Sequence, residues 1–135
     1  MYKILFTGGT GFIGSNILKN IQLNYKVYVI QKKESKTSIF KSKNIQIIKF
    51  NNYNSLASKL KKIKVDAVIH CATHYKKIHN TSDLKKFAES NILLGNIILE
   101  NIKNMSAKKF INFTTTWGSS EGILNNPKNL YAAYK

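Results

Sequence analysis

The chain contains no arginine: all 22 basic side chains are lysine. Arginine is the preferred residue for bidentate contacts to phosphates and base edges. Its absence weighs against a nucleic-acid partner despite the net charge of +16, and so does the scatter of the lysines, with no long basic block. Only six residues are acidic, while asparagine and isoleucine are abundant. The charge therefore reads as a composition bias carried on solvated faces, with a weak preference for anionic small molecules. A single cysteine, Cys71, excludes an intrachain disulfide framework. The only proline, Pro127, falls in a loop near the C-terminus. No apolar run approaches the ~20 residues of a membrane span, and the N-terminus reads as a strand, not as a signal peptide. No membrane partner and a cytoplasmic location are the expectations. His70, Cys71, His74 and His79 raise the question of a metal. They fall on a strand end and in loops, and the paired cysteines usual in structural zinc sites are missing, so no metal is expected.

What is present is organised around the first fourteen residues. The apolar run Tyr2–Thr7 feeds directly into Gly8-Gly9-Thr10-Gly11-Phe12-Ile13-Gly14, and an amphipathic helix follows. Gly8 makes the tight turn off the strand. Gly11 lets backbone N–H groups approach a pyrophosphate, and Gly14 lets the helix pack against the sheet. The helix N-terminus adds unpaired donors and partial positive charge. A strand before the glycines and a helix after them are the context this motif requires.

The stretch Thr7–Gly14 resembles the cofactor loop of the extended short-chain dehydrogenase/reductase family, which includes nucleotide-sugar epimerases, dehydratases and 4-ketoreductases. The glycines are spaced two-and-two, as in that family. The resemblance implies an α/β fold, a Rossmann-like doubly wound parallel sheet, here reaching about five strands. It implies one partial dinucleotide-binding domain over residues 1–135, without the family's substrate-binding C-terminal part. Gly8, Thr10, Gly11, Phe12, Ile13 and Gly14 become the candidate cofactor-binding turn.

Further along, Val27–Ile30 is a second strand, apolar throughout, as suits a parallel sheet covered on both faces. An acidic residue at its end would hold the ribose 2′-OH of NAD, and basic ones would accept the 2′-phosphate of NADP. The sequence has Gln31-Lys32-Lys33, with no carboxylate before Glu34. NADP is therefore favoured over NAD, with Lys32 or Lys33 near the phosphate, unless these are ordinary loop lysines. Residues 34–44 read as a surface loop, and Ile45–Phe50 as a third strand. In the resembling family an aspartate after this strand contacts adenine. Asn51 stands there and is the candidate for part of that contact. The other reading is an asparagine cap for a helix over Tyr53–Ile63.

Val65–His70 is a fourth strand, and Cys71-Ala72-Thr73-His74 the loop after it. The family has a histidine and small residues here, covering the adenosine side of the cofactor. Cys71 and Ala72 are thus candidate cofactor contacts, with Thr73–Lys77 near the nicotinamide or the sugar. The longest helix is expected from Ser82 to Asn104, with Leu84, Phe87, Leu94, Ile98 and Ile102 on one face. Asn91 interrupts that apolar stripe and must find partners. The family carries an asparagine here that bonds neighbouring backbone near the cofactor.

Lys108–Thr114 is the fifth strand, ending in Thr114-Thr115-Thr116. A loop leads to Tyr131-Ala132-Ala133-Tyr134-Lys135. Tyr131 and Lys135, four apart, would share one helix face. A free phenol titrates near ~10, and a nearby ammonium favours the phenolate. Such a tyrosine can exchange a proton as hydride moves at the adjoining carbon. In the family a serine or threonine on the fifth strand joins this pair. Tyr131 is the candidate acid/base, Lys135 its electrostatic partner and a ribose contact, and Thr114, or else Thr115, the substrate hydrogen-bond donor. The resemblance implies a nucleotide-sugar substrate, with a branch acting on nucleotide-activated deoxysugars as the nearest match. A homodimer is an option for the complete protein. A chain of this length is expected to be inactive alone.

Overall fold

A computed structural model describes residues 1–35, 37, 39 and 41–135. Of the surface loop expected at residues 34–44, Lys36, Ser38 and Phe40 lie outside the described residues.

Five strands form one parallel sheet: β1 (Lys3–Thr7), β2 (Lys26–Lys32), β3 (Ile45–Phe50), β4 (Ala67–His70) and β5 (Lys109–Asn112). Their order across the sheet is β3-β2-β1-β4-β5. In register, Thr7 at the end of β1 pairs with Ile30 of β2 and with His70 of β4. The chain leaves β1 toward β2 on one side and later returns to β4 on the other. A crevice opens at the carboxyl ends of the strands at such a point of reversal.

Alternation along each strand sends side chains to two cores. Leu5, Ile30, Ile48, Val68 and Ile98 pack on one face, with Leu56, Leu60 and Leu94. Phe6, Val27, Val29 and Leu18 pack on the other. The helices α1 (Phe12–Ile21) and α2 (Tyr53–Leu60) cover opposite faces. Leu18 carries the buried stripe of α1, whereas Ile13 is 56% exposed. It stands at the crevice end of the helix.

The long helix is one rod built from unlike turns. A 3₁₀ turn at Thr81–Asp83 leads into α3 (Leu84–Phe87), a π-helical segment Ala88–Leu93, and α4 (Leu94–Glu100). The π segment interrupts the regular α-helical hydrogen bonding. Phe87, Leu94 and Ile98 are buried as expected, but Leu84 is exposed. The last helix, α5 (Leu130–Ala133), has four residues and is capped by the Asn129 side chain, which accepts from the Ala132 N–H.

Candidate cofactor crevice and active site

The turn after β1 has the geometry that its glycines suggest. Gly8 sits at φ +77°, and a Cβ there would lie 2.6 Å from the Ala72 nitrogen, so the tips of β1 and β4 touch through it. A Cβ on Gly14 would land on the carbonyl of Gly8, so the helix closes onto its own turn and not onto the sheet. The Gly11 N–H donates to the Gly8 carbonyl at 3.0 Å. Gly11 then caps α1 in extended conformation, with no side-chain hydrogen bond to the first helical amides. Those amides retain their capacity for an anion.

The turn borders a crevice of about 630 Å³ along the ends of β1, β2 and β4, within the range of small-molecule sites. It brings together Gly8, Thr10, Gly11, Phe12, Ile13, Gly14, Lys32, Cys71, Ala72 and Tyr131 among the expected site residues. Phe12 and Ile13 are exposed apolar side chains at its rim. Thr73 and Tyr75 line it as well. The Tyr131 ring meets Tyr75 edge-on at 5.1 Å and Trp117 at 6.4 Å.

Three expected residues stand elsewhere. Asn51 is exposed and offers its backbone N–H to the Ser55 hydroxyl at 3.4 Å. Its neighbour Asn52 caps α2, accepting from the Ser55 N–H at 2.8 Å. Thr114 does not line the crevice; its hydroxyl donates to the Lys135 carbonyl at 3.2 Å. Thr115 accepts from the Trp117 N–H at 3.3 Å. Lys135 follows the C-cap residue Tyr134 of α5. Lys135 lines a second hollow with His70, Asn91 and Tyr134. Burial pushes its ammonium down, with Cys71 opposing.

A buried relay joins the two strand tips beneath the crevice. The Ala72 N–H donates to the Thr7 hydroxyl at 3.0 Å, and that oxygen lies 2.9 Å from His70 Nδ1. With one lone pair occupied by Ala72, the hydroxyl hydrogen is free to point at Nδ1. Burial, aided by Lys135, lowers the His70 pKa to about 4. The ring is therefore neutral near pH 7. Burial also raises the Cys71 thiol to about 11, against the pull of Lys135. At neutral pH Cys71 is a small uncharged wall residue and not a nucleophile.

Asn91 satisfies itself as its place on the stripe demands. Its carbonyl accepts from the His74 N–H at 2.7 Å and the Thr73 hydroxyl at 3.1 Å, and its amide donates to the His74 carbonyl at 3.1 Å. The loop after β4 is pinned to the π segment in this way. Sequence reasoning missed Thr7, Tyr53, Ser90 and Glu89. Tyr53 and Ser90 line the crevice, and Glu89 reaches Lys32 at 3.3 Å. Thr7 opens the glycine motif and Tyr53 follows the capping asparagines at the end of β3, whereas Ser90 and Glu89 left no trace in the sequence. Among the described residues no group of three metal-ligating side chains is assembled, and no helix is long and apolar enough to cross a membrane.

Sheet order, glycine turn and crevice define a Rossmann-like dinucleotide-binding architecture. The model of the NAD dependent epimerase/dehydratase family matches residues 4–135, and the chain belongs to that family. It is 32% identical to a dTDP-D-glucose 4,6-dehydratase of Dictyostelium discoideum, over 98% of this chain and 38% of that protein. It is 33% identical to the CDP-abequose synthase of Yersinia pseudotuberculosis, over 85% of this chain and 40% of that protein. The UDP-Glc/GlcNAc 4-epimerase structure from Campylobacter jejuni superposes with a TM-score of 0.83 at 21% identity, over 100% of this chain and 46% of that one. The chain thus spans about two-fifths of the length of the curated relatives it matches.

Proposed function

We propose that this chain is the N-terminal, cofactor-binding portion of an enzyme that moves hydride between a nicotinamide dinucleotide and a ring carbon of a nucleotide-activated sugar. The observation that carries the reading is Tyr131. It borders the same crevice as the open N-terminus of α1, one presenting a phenol and the other unpaired amides. The amides from Gly11 onward would hold a diphosphate, and Cys71 and Ala72 would lie along its nucleoside. When bound, the nicotinamide supplies or accepts the hydride.

The chain's own residues supply the proton chemistry. The Tyr131 hydroxyl would give or take the proton of the substrate oxygen, its ring held edge-on by Tyr75 and Trp117. Lys135 would favour the phenolate once its ammonium turns from the hollow it lines toward the crevice. Thr114 would orient the substrate oxygen after releasing the Lys135 carbonyl. Thr115 is the alternative, after releasing the Trp117 amide. In sequence terms Lys32 and Lys33 favour NADP over NAD. Lys32 does line the crevice, but in an ion pair.

The second reading is a cofactor-binding module without turnover. The absence of Thr114 from the crevice lining favours it. Substituting Tyr131→Phe in a completed chain separates the two. Turnover with a nucleotide sugar falls by at least ~100-fold, with the cofactor dissociation constant unchanged, if the tyrosine is the acid/base. Unchanged turnover would refute that role.

A further inference from the structure

The carboxyl end of β2 carries an ion cluster assembled from three parts of the chain. The Lys32 ammonium lies 3.3 Å from the Glu89 carboxylate and 3.9 Å from that of Glu34. It also sits 5.7 Å from the centre of the Tyr53 ring. The Tyr53 hydroxyl donates to the Glu89 carbonyl at 3.1 Å, tying the start of α2 to the π segment. The Glu89 side chain is 27% exposed and that of Glu34 is 66% exposed. Glu89 is therefore both the nearer counter-ion and the one less screened by water. Lys85 stands 4.0 Å from the other Glu89 oxygen, but its side chain is 85% exposed and competes weakly. Burial pushes the Lys32 ammonium down, yet Tyr53, Glu89 and Glu34 together outweigh it and hold the pKa above the ordinary lysine value.

This place in the fold decides between the two nicotinamide dinucleotides, because the residue ending the second strand faces the ribose 2′ position. The usual arrangement reads the ribose with residues of that loop alone. Here a carboxylate from a helix 57 residues away holds the lysine.

We infer that Glu89 disfavours the phosphorylated cofactor by holding the charge of Lys32, which a 2′-phosphate would otherwise take. The inference rests on the cofactor reading of the crevice above. A 2′-phosphate brings close to two negative charges beside Glu89 and Glu34, and must displace Glu89 from Lys32 or bear its repulsion. An unphosphorylated ribose adds no charge to the cluster and leaves the pair intact.

The test is calorimetric titration of the purified chain with NAD and with NADP, comparing the ratio of dissociation constants between variants. Glu89→Gln keeps the side-chain shape, and far-UV circular dichroism checks its fold. It should tighten NADP by about tenfold while changing NAD by less than about twofold. In a Lys32→Gln background the same substitution should gain NADP less than about threefold, because the lysine through which Glu89 acts is gone. Equal effects of Glu89→Gln on both cofactors, or a full gain in the Lys32→Gln background, would overturn the inference. Failure of the unsubstituted chain to bind either cofactor would instead overturn the reading of the crevice, and this inference with it.

Discussion

At the scale of single residues, the sharpest consequence lies in His70. Its buried ring has a pKa of about 4 in the folded chain and an ordinary value of 6.5 when exposed. Between those values the unfolded state binds the additional proton. The stability His70 contributes is therefore fully present above pH 6.5 and is lost as the pH falls toward 4, about 3 kcal/mol across the window. Urea denaturation at steps between pH 7 and pH 4 should show that loss. In His70→Gln, which can still face the Thr7 hydroxyl, the slope across the window should flatten. A slope identical in the two proteins would mean that His70 is not the titrating group. The residue pattern explains why this was not legible beforehand. A histidine at a strand end invites a ligand reading, and nothing in one sequence reveals that Thr7, 63 residues away, meets it at 2.9 Å.

At the scale of elements, the π segment does the positioning. Its Asn91 makes three hydrogen bonds to Thr73 and His74, and its Glu89 carbonyl accepts from Tyr53. Asn91→Ala removes all three and leaves loop backbone groups without partners. It should cost roughly 1–3 kcal/mol and speed hydrogen exchange at the His74 amide well beyond the global change. Uniform acceleration across the chain would show that the loop is held by something else. The strands were legible because a parallel sheet buried on both faces leaves continuous apolar runs at Leu5–Phe6, Val27–Ile30 and Val68. The glycine turn was legible because a positive φ at Gly8 and the contact between Gly14 and the Gly8 carbonyl admit almost no other residue. The rod over Thr81–Glu100 was legible only as a helix. Counting by 3.6 places Leu84 with Phe87, but Leu84 opens α3 at the end of the rod and is exposed there. The Tyr131–Lys135 spacing presumes about one turn of helix, of which α5 covers Leu130–Ala133.

At the scale of the whole molecule, a net charge of +16 coexists with a crevice whose one central lysine is neutralised by two carboxylates. Charge alone therefore explains little of what the crevice would select, and the backbone donors at the start of α1 carry more of the recognition. The central claim is that a nicotinamide dinucleotide lies across the ends of β1, β2 and β4 with its diphosphate at the glycine turn. Backbone amide NMR of the ¹⁵N-labelled chain, titrated with NAD, tests this most directly. The account predicts saturable shifts concentrated at Gly9–Gly14 and Cys71–Thr73, with the amides of β5 nearly still. Shifts that are absent, or that cluster on the hollow around Asn96, Leu99 and Asn112 while the glycine turn stays unmoved, would contradict it.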